Sequence, residues 1–415
     1  MNKTEATFLA ILKDALHPAA TTNGERPVSD LADDDWAAVF EVARAQNLFP
    51  LVYDAAMGYP AFAEFEQAHP RYFTAATASV TTQMQKTEAF LSLYRAFLNA
   101  GLAPITIKGL ICRTLYGQRA DFRPSGDEDI LIEKKDYEKA VGVLTACEYQ
   151  CVEEPDKALD VAQEATFCRE NLTIELHLNP FGTESAIQET MNDWFRDVFQ
   201  SDETVTVHNV PVRTLPPTDH FLFLTFHAFR HFIASGCGIR LMLDILLFAE
   251  KYGERIDWAY VDKGLADVGA SGFLADLVAI GNFYLGFDLP PYGDPVCPKA
   301  LLDDMCHKGT FGNSTNQDRM VGRMLTGTIQ NKKADDGVQN NRLAVYFRTL
   351  FPTWKTWISL KPYLKDKPWM VFPEWFWRAG RHLRGETAVG NLKSLNQGYQ
   401  AAAERMKLLK KYGVL

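Results

Sequence analysis

The chain has no Cys-x-x-Cys pair, although it contains seven cysteines. Zinc ribbons require closely spaced cysteine pairs, and disulfide frameworks of small secreted proteins require an even set, so the sequence supports neither class. The seven are scattered along the chain: Cys112, Cys147, Cys151, Cys168, Cys237, Cys297 and Cys306. We expect buried free thiols in a reducing, cytoplasmic environment.

Long apolar runs are also missing. A membrane-spanning helix needs about eighteen or more apolar residues, whereas the densest apolar segment, HFLFLTFHAF at residues 220–229, is much shorter. Near the amino terminus, Lys13 and Asp14 interrupt the apolar residues, which predicts an amphipathic helix and not a signal peptide. We therefore expect a soluble, cytoplasmic protein.

Positive charge is not in excess, because 43 Lys and Arg face 52 Asp and Glu, for a formal net charge of −9. General nucleic-acid binders present basic surfaces, so we expect no extended nucleic-acid interface. The composition is otherwise that of a globular protein, with 47% hydrophobic and 23% charged residues. Its 415 residues are enough for two or three structural units.

Hydrophobic periodicity divides the chain into three parts. Residues 1–100 have helical spacing, with a break at His69 and Pro70. Residues 101–215 mix short strands with helices, and residues 216–415 return to helical spacing. The pattern predicts an α+β protein, in which an N-terminal helical region and a larger C-terminal helical domain flank a small α/β core.

Most of the recognisable chemistry lies in residues 104–140. The predicted order is a strand at 105–107, a turn at Lys108-Gly109, a helix at 110–116, a polar loop, and a strand at 129–132. Asp127 and Asp129 are two positions apart, so both carboxylates leave the same face of a strand. Either a divalent cation neutralises them or the segment is a solvated acidic turn. The segment alone leaves both interpretations open.

A third carboxylate lies in a predicted β-hairpin at residues 165–180, with Glu170 and Asn171 at its turn. In the second arm, Glu175 and His177 share one face, and apolar residues occupy the other. Glutamate is depleted in strands. Glu175 is therefore either functional or part of a solvated face.

Two histidines four residues apart, His227 and His231, have the spacing of a metal-ligand pair on a helix. There is no HExxH pattern and the neighbouring residues are phenylalanines, so we favour packing over a zinc site. Asp244 interrupts a strongly apolar predicted helix. We expect Asp244 to be buried and paired with His231 or Arg240.

The C-terminal region is rich in tryptophan. Five of the eight tryptophans are Trp354, Trp357, Trp369, Trp375 and Trp377. Lysines and arginines are interleaved with them over residues 350–385, a composition typical of membrane-surface or partner contacts. The alternative, which we favour, is that the aromatic residues cover a helical core while the cations are solvated.

Together these motifs resemble the uncharacterised nucleotidyltransferases named NTP_transf_5, a group of the DNA polymerase beta nucleotidyltransferase superfamily. The residues that carry the resemblance are Lys108-Gly109, Leu115-Tyr116, Arg123, Asp127-Glu128-Asp129 with Ile130-Leu131-Ile132, and Thr173-Ile174-Glu175-Leu176-His177. The later segments TDHFLFLTFHAFRH and RLMLDILLFAE are similar to the helical half of that group. The resemblance therefore extends over residues 30–250.

The resemblance implies a small mixed β-sheet and a Mg²⁺- or Mn²⁺-dependent transfer of a nucleoside monophosphate from a nucleoside triphosphate to a hydroxyl acceptor. Asp127, Asp129 and Glu175 are the implied catalytic and metal-binding carboxylates. The implied nucleotide-binding residues are Lys108, Gly109, Arg123, Ser125 and His177. The acidic net charge favours a small molecule, a sugar or a protein over RNA as the acceptor.

Each nucleotide-binding residue has an expected role. Lys108 and Arg123 neutralise phosphate charge, unless they simply pair with the acidic residues. Backbone N–H groups at the helix that begins after Gly109 meet the phosphates. His177 orients Glu175.

Two residues depart from the superfamily pattern. Leu110 follows Gly109, where serine or glycine is usual, and Glu128 stands between the aspartates, where an apolar residue is usual. Glu128 therefore either has a partner in the core or precedes the strand. The three carboxylates favour a working enzyme, and the alternative is a catalytically inactive binding or regulatory module on the same fold.

Overall fold

The computed structural model describes residues 1–18, 31–152, 164–183, 185–309, 364, 367–374 and 405–414. The chain divides into two compact units, Met1–Asn313 with Lys411–Gly413, and Ser314–Lys410 with Val414–Leu415. All the predicted site residues belong to the first unit. The boundaries near residues 100 and 215 stay a prediction.

The described helices before the sheet are α1 (Lys3–Leu16), α2 (Asp33–Ala45), α3 (Phe49–Ala56), α4 (Phe62–Ala68) and α5 (Arg71–Asn99). A capping box starts α1, because the side chains of Asn2 and Glu5 each accept a hydrogen bond from the other's backbone N–H. Pro70 separates α4 from α5, which confirms the predicted break.

A five-stranded sheet follows, in the spatial order β1-β2-β5-β4-β3. Its strands are β1 (Ile105–Thr106), β2 (Asp127–Leu131), β3 (Gln150–Cys151), β4 (Glu164–Arg169) and β5 (Leu172–His177). The pair β2–β5 is parallel and the other pairs are antiparallel, so the sheet is mixed. The predicted α+β class with a small mixed sheet is confirmed.

The two faces of the sheet have different chemistry. Ile130, Ile174 and Leu176 point into a core that also contains Phe90 and Phe97 of α5. Because side chains alternate along a strand, the intervening residues of β2 and β5 point to the opposite face, and they include the acidic residues. The helix α7 (Tyr137–Ala146) adds its apolar side to the same core.

The connection from β1 to β2 is largely helical. It consists of α6 (Leu110–Arg113) and a 3₁₀ segment, Thr114–Phe122. The α-helix predicted at 110–116 therefore ends at Arg113, and the chain continues as a 3₁₀ segment. The second predicted strand begins two residues earlier than expected, at Asp127, because β5 pairs with β2 from that residue onward.

A two-stranded antiparallel sheet is formed by β6 (Thr204–Val207) and β7 (Val210–Arg213). His208 and Asn209 at its turn both have positive φ, as a type I′ turn requires. The helices beyond the core are α8 (Ala186–Asp193), α9 (Pro217–Ala234), α10 (Ile239–Tyr252), α11 (Trp258–Val268), α12 (Ser271–Ile280) and α13 (Pro298–Lys308).

Among the described residues, no single helix combines the length and apolar composition needed to cross a membrane. One bent pair, α11 together with Ser271–Leu285, passes the same test of length and composition, with a bend of 118°.

Candidate active site

The parallel pairing of β2 with β5 brings the three predicted carboxylates to one face. Asp129 lies directly beside Glu175 in the sheet register, and Asp127 lies beside Thr173. Asp129 is buried, whereas the side chains of Asp127 and Glu175 are 28% and 30% exposed. The face thus has a buried carboxylate at its centre and more accessible carboxylates on either side.

Lys108 enters this face from the turn after β1. Its Nζ donates to Asp129 Oδ1 at 2.8 Å and lies 4.0 Å from Asp127 Oδ1. Burial opposes the charge of Lys108, but Asp129 and Asp127 outweigh burial and raise its pKa above the ordinary value. Lys108 therefore pairs with the acidic residues, which was the alternative to phosphate binding. Its role toward phosphate stays a prediction.

The two aspartates differ strongly in their affinity for a proton. Burial and then repulsion from Asp129 raise the pKa of Asp127 to about 6. Burial also acts on Asp129, but Lys108 and His177 hold the pKa of that carboxyl well below its usual range. The central carboxylate of the face is therefore the more strongly ionised one.

His177 lies at the end of β5, beside the same carboxylates. Its Nε2 is 3.5 Å from Asp129 Oδ1 and 3.5 Å from Glu175 Oε2, and its Nδ1 is 3.4 Å from Glu164 Oε2. Burial opposes the charge on the imidazole, but the neighbouring Asp129 and Glu175 carboxylates outweigh burial and raise the pKa of His177 to about 9. The structure thus brings His177 into contact with Glu175, as expected.

One cluster of possible metal ligands is compact enough to hold a metal ion in the described part of the chain. It consists of Asp129, Glu175 and His177. One ligand atom from each residue lies within 4.8 Å of the others. Asp129 Oδ2 and His177 Nε2 are buried and make no hydrogen bond to any described residue. Buried polar atoms normally have a hydrogen-bond partner, so the two atoms indicate that this site binds a further group, such as an ion.

Glu128, between the aspartates, points to the opposite face and is fully buried. Its Oε1 accepts from Arg113 Nη1, and its Oε2 accepts from the Leu110 backbone N–H at 2.6 Å. Glu128 therefore has a core partner and is also part of β2, so Asp127 keeps its place on the acidic face. The sequence indicated that Glu128 needs a partner but did not identify Arg113.

Gly109 approaches Glu128 closely. Gly109 has φ of +45°, and a Cβ at this position would lie 2.0 Å from Glu128 Oε2. The N–H of Leu110, which we expected to meet phosphate, donates to Glu128 instead. In this structure the start of α6 binds a carboxylate of the chain itself, and the nucleotide-binding role of Gly109 stays a prediction.

Arg123 is not among the residues gathered at the acidic face. Its Nε donates to Asp244 Oδ1 at 2.7 Å, its Nη2 also contacts Asp244, and both side chains are buried. Tyr116 donates its hydroxyl to Asp244 Oδ1 at 3.2 Å. Asp244 is therefore buried and paired, as expected, and the hydrogen-bond partners that the structure shows are Arg123 and Tyr116.

The segment 124–126, which leads into Asp127, is held from several sides. Ser125 donates its N–H to Gln83 Oε1 at 2.8 Å, and its hydroxyl contacts Arg113 and Glu128. Lys86 Nζ donates to the Ser125 carbonyl at 3.0 Å. Ser125 thus supports β2 from the core side, and its predicted contact with nucleotide stays a prediction.

His227 and His231 are packed ring against ring in α9, with centroids 4.6 Å apart. Burial, with added repulsion from Lys108, lowers the pKa of His227 well below its ordinary value. For His231, burial and Arg230 lower the pKa to about 3. Both histidines are largely buried in α9, and the choice between packing and a zinc site stays a prediction.

A mixed sheet that presents carboxylates from two neighbouring parallel strands, next to a Lys-Gly turn, is the arrangement expected of the nucleotidyltransferase class. The family model described as uncharacterised nucleotidyltransferase, NTP_transf_5, matches residues 32–282. The chain belongs to this family and is a nucleotidyltransferase. Comparison with curated proteins and with solved structures gives no match.

Proposed function

We propose that the protein transfers a nucleoside monophosphate from a nucleoside triphosphate to a hydroxyl acceptor and releases pyrophosphate, with a divalent metal ion at Asp127, Asp129 and Glu175. The observation that carries the proposal is the pairing of β2 with β5, which places Asp129 directly beside Glu175 on an accessible face. Family membership supports the transfer chemistry. The metal, the donor and the acceptor are the proposed parts.

The residues on this face fit a divalent cation. Carboxylate oxygens are the ligands that Mg²⁺ and Mn²⁺ take in proteins. The buried Asp129 Oδ2 makes no hydrogen bond to a described residue, so this oxygen is available to bind such an ion. When bound, the metal lowers the pKa of the attacking hydroxyl and neutralises charge on the leaving pyrophosphate.

The reaction forms a bond from the acceptor oxygen to the α-phosphorus and breaks the bond from that phosphorus to the bridging oxygen. The bond's electron pair leaves with pyrophosphate, and the acceptor's proton is released to solvent. Lys108, between Asp127 and Asp129, supplies a fixed positive charge next to the reacting phosphate. The chain orients the groups and neutralises charge, which is what phosphoryl transfer chiefly requires.

The acceptor is proposed to be a small molecule, a sugar or a protein hydroxyl. The net charge of −9 does not favour a long nucleic-acid track. The second candidate, an inactive module that binds nucleotide without transferring it, predicts binding without release of pyrophosphate.

The test compares the wild type with Asp129→Asn in the presence of α-labelled nucleoside triphosphates and Mg²⁺ or Mn²⁺. We expect pyrophosphate release and label transfer by the wild type, and a loss of at least 100-fold in the variant, since removal of a key charge-stabilising group has roughly this effect. Glu138→Gln is the control, because Glu138 is exposed on α7. Metal-dependent nucleotide binding without turnover would favour the inactive module, and no binding at all would refute both.

A further inference from the structure

We propose that His177 is a direct nitrogen ligand of the metal ion, so that Asp129, Glu175 and His177 form a mixed oxygen and nitrogen site that prefers Mn²⁺ to Mg²⁺. The inference deepens the proposed function and rests on it, because it concerns an ion at the same face. It adds a ligand and an ion preference that the three carboxylates alone do not define.

The first support is the position of the imidazole. His177 Nε2 is 3.5 Å from one oxygen of Asp129 and 3.5 Å from one oxygen of Glu175. The imidazole nitrogen and the two carboxylates therefore converge on one small volume. A buried nitrogen between two carboxylates is placed to share an ion with them.

The second support is that two of the converging atoms lack a hydrogen bond. Asp129 Oδ2 and His177 Nε2 are both buried and make no hydrogen bond to a described residue. A buried polar atom without a hydrogen bond destabilises the folded protein. A single ion bound to both atoms removes this cost, whereas an ion that binds only the aspartates leaves Nε2 with its two carboxylate contacts at 3.5 Å and no hydrogen bond.

The third support lies on the other side of the ring. Glu164 pairs with His177 in the register of β4 and β5, and its Oε2 is 3.4 Å from His177 Nδ1. Metal-bound histidines commonly donate their second ring N–H to a carboxylate, which fixes the tautomer and leaves the other nitrogen for the metal. Glu164 therefore presents Nε2, and not Nδ1, to Asp129 and Glu175.

Lys108 makes Asp129 Oδ1 less available to the ion than Oδ2. Its ammonium group contacts Asp129 Oδ1 at 2.8 Å and lies 4.0 Å from Asp127 Oδ1. A cation placed between the two aspartates must compete with that charge. Asp129, Glu175 and His177 instead offer two carboxylates and an imidazole, which together have charge −2 once the bound ion has displaced the imidazole proton, and this charge matches a divalent ion.

The ligand chemistry then decides which ion binds. Mg²⁺ takes oxygen ligands and retains its waters, whereas transition-metal ions accept imidazole nitrogen readily. We therefore expect the wild type to bind Mn²⁺ at least tenfold more tightly than Mg²⁺. We expect His177→Gln to weaken Mn²⁺ binding about tenfold or more and to change Mg²⁺ binding little.

The experiment is pulsed electron paramagnetic resonance on Mn²⁺ bound to the full chain without nucleotide. The proposal predicts a ¹⁴N modulation from a directly bound imidazole, replaced by the ¹⁵N pattern when the protein carries ¹⁵N-histidine, and absent in His177→Gln. His208→Gln is the matched control, because His208 is exposed at the β6–β7 turn and should leave the modulation unchanged. Affinities come from Mn²⁺ titration, with Mg²⁺ measured by competition.

Glu164→Gln is a second variant for the case in which His177→Gln does not fold. Glu164 contacts the His177 imidazole and not the ion. We therefore expect this variant to keep the nitrogen modulation and to lose about tenfold in Mn²⁺ affinity. Bound Mn²⁺ without any nitrogen modulation would overturn the inference and leave the proposed function standing. Failure of the wild type to bind Mn²⁺, with or without a nucleoside triphosphate, would overturn both.

Discussion

Glu128 shows how one residue of an acidic triplet can have a role opposite to that of its neighbours. Strand alternation directs Asp127 and Asp129 to the open face and Glu128 into the core. There Glu128 pairs with Arg113 and accepts the Leu110 N–H at the start of α6. A buried charge with two such partners holds the turn after β1 against β2, and this turn carries Lys108.

Replacement of Glu128 by glutamine should therefore destabilise the protein. Glu128→Gln leaves the Arg113 guanidinium buried without its counter-charge, and breaking a buried pair in this way costs roughly 3–5 kcal/mol. We expect a loss of about 3 kcal/mol in the free energy of unfolding, measured by urea denaturation. Glu138→Gln on the exposed side of α7 should change it by less than about 0.5 kcal/mol. A loss below about 1 kcal/mol for Glu128→Gln would contradict the role assigned to the pair.

At the scale of single elements, α9 is notable for histidines that are buried without charge. Burial lowers the pKa of His220 to about 4. The pKa of His231 is lowered to about 3 by burial and Arg230, and the pKa of His227 is well below normal. The unfolded chain, with histidine pKa values near 6.5, therefore binds more protons than the folded chain at mildly acidic pH. Stability contributed by these histidines is present above about pH 6.5 and lost as the pH falls toward 4.

His220→Gln should reduce this acid sensitivity. Between pH 7 and pH 5, protonation of His220 in the unfolded state alone costs about 2 kcal/mol, given folded and unfolded pKa values of about 4 and 6.5. The pKa values of Asp127 and Asp219 are raised to about 6, so these groups act in the opposite direction. The measurement is therefore the difference between wild type and variant in unfolding free energy at the two pH values. Equal pH dependence in both proteins would contradict the assignment.

Helices, strands and turns were predictable where the sequence pattern that specifies them lies within a few neighbouring residues. Alternating residues and turn residues such as Glu170 with Asn171 predicted the hairpin β4–β5, which the structure confirms. The parallel pairing of β2 with β5 has no local signal, because the paired residues lie 46 positions apart, as Asp129 and Glu175 show. The resemblance, and not the pattern, supplied that contact. Arg123 with Asp244 is a pairing that neither spacing nor periodicity reveals.

At the scale of the whole molecule, residues 350–385, for which a membrane or partner contact was the less favoured alternative, lie mostly outside the described residues. In the described part of that region, Trp369 is 64% exposed and Phe372 is 58% exposed. Most of the surface of these two side chains is exposed, and a contact through this segment stays a prediction.

We predict that the full chain sediments with vesicles that contain anionic lipid, and that Trp369→Ser with Phe372→Ser lowers the bound fraction at least threefold. Exposed aromatic side chains beside cations partition into the membrane interface. Phe283→Ser is the matched control, since Phe283 is 79% exposed in the other compact unit. Equal binding by the double variant and the wild type would leave only the protein-partner alternative. The cytoplasmic location stays a prediction.

The buried pair of Arg123 and Asp244 joins the α/β core to α10. Variants of this pair can distinguish a structural role of Arg123 from a phosphate-binding role. Asp244→Ala should cost roughly 3–5 kcal/mol in unfolding free energy, because it leaves the arginine charge buried and unpaired. Arg123→Met combined with Asp244→Leu replaces the pair by apolar side chains of similar size and should return stability to near that of the wild type. If Arg123 only joins the two elements, the double variant binds nucleoside triphosphate as tightly as the wild type in calorimetry. A tenfold loss of nucleotide affinity in a stable double variant would instead give Arg123 the phosphate-binding role that the resemblance implies.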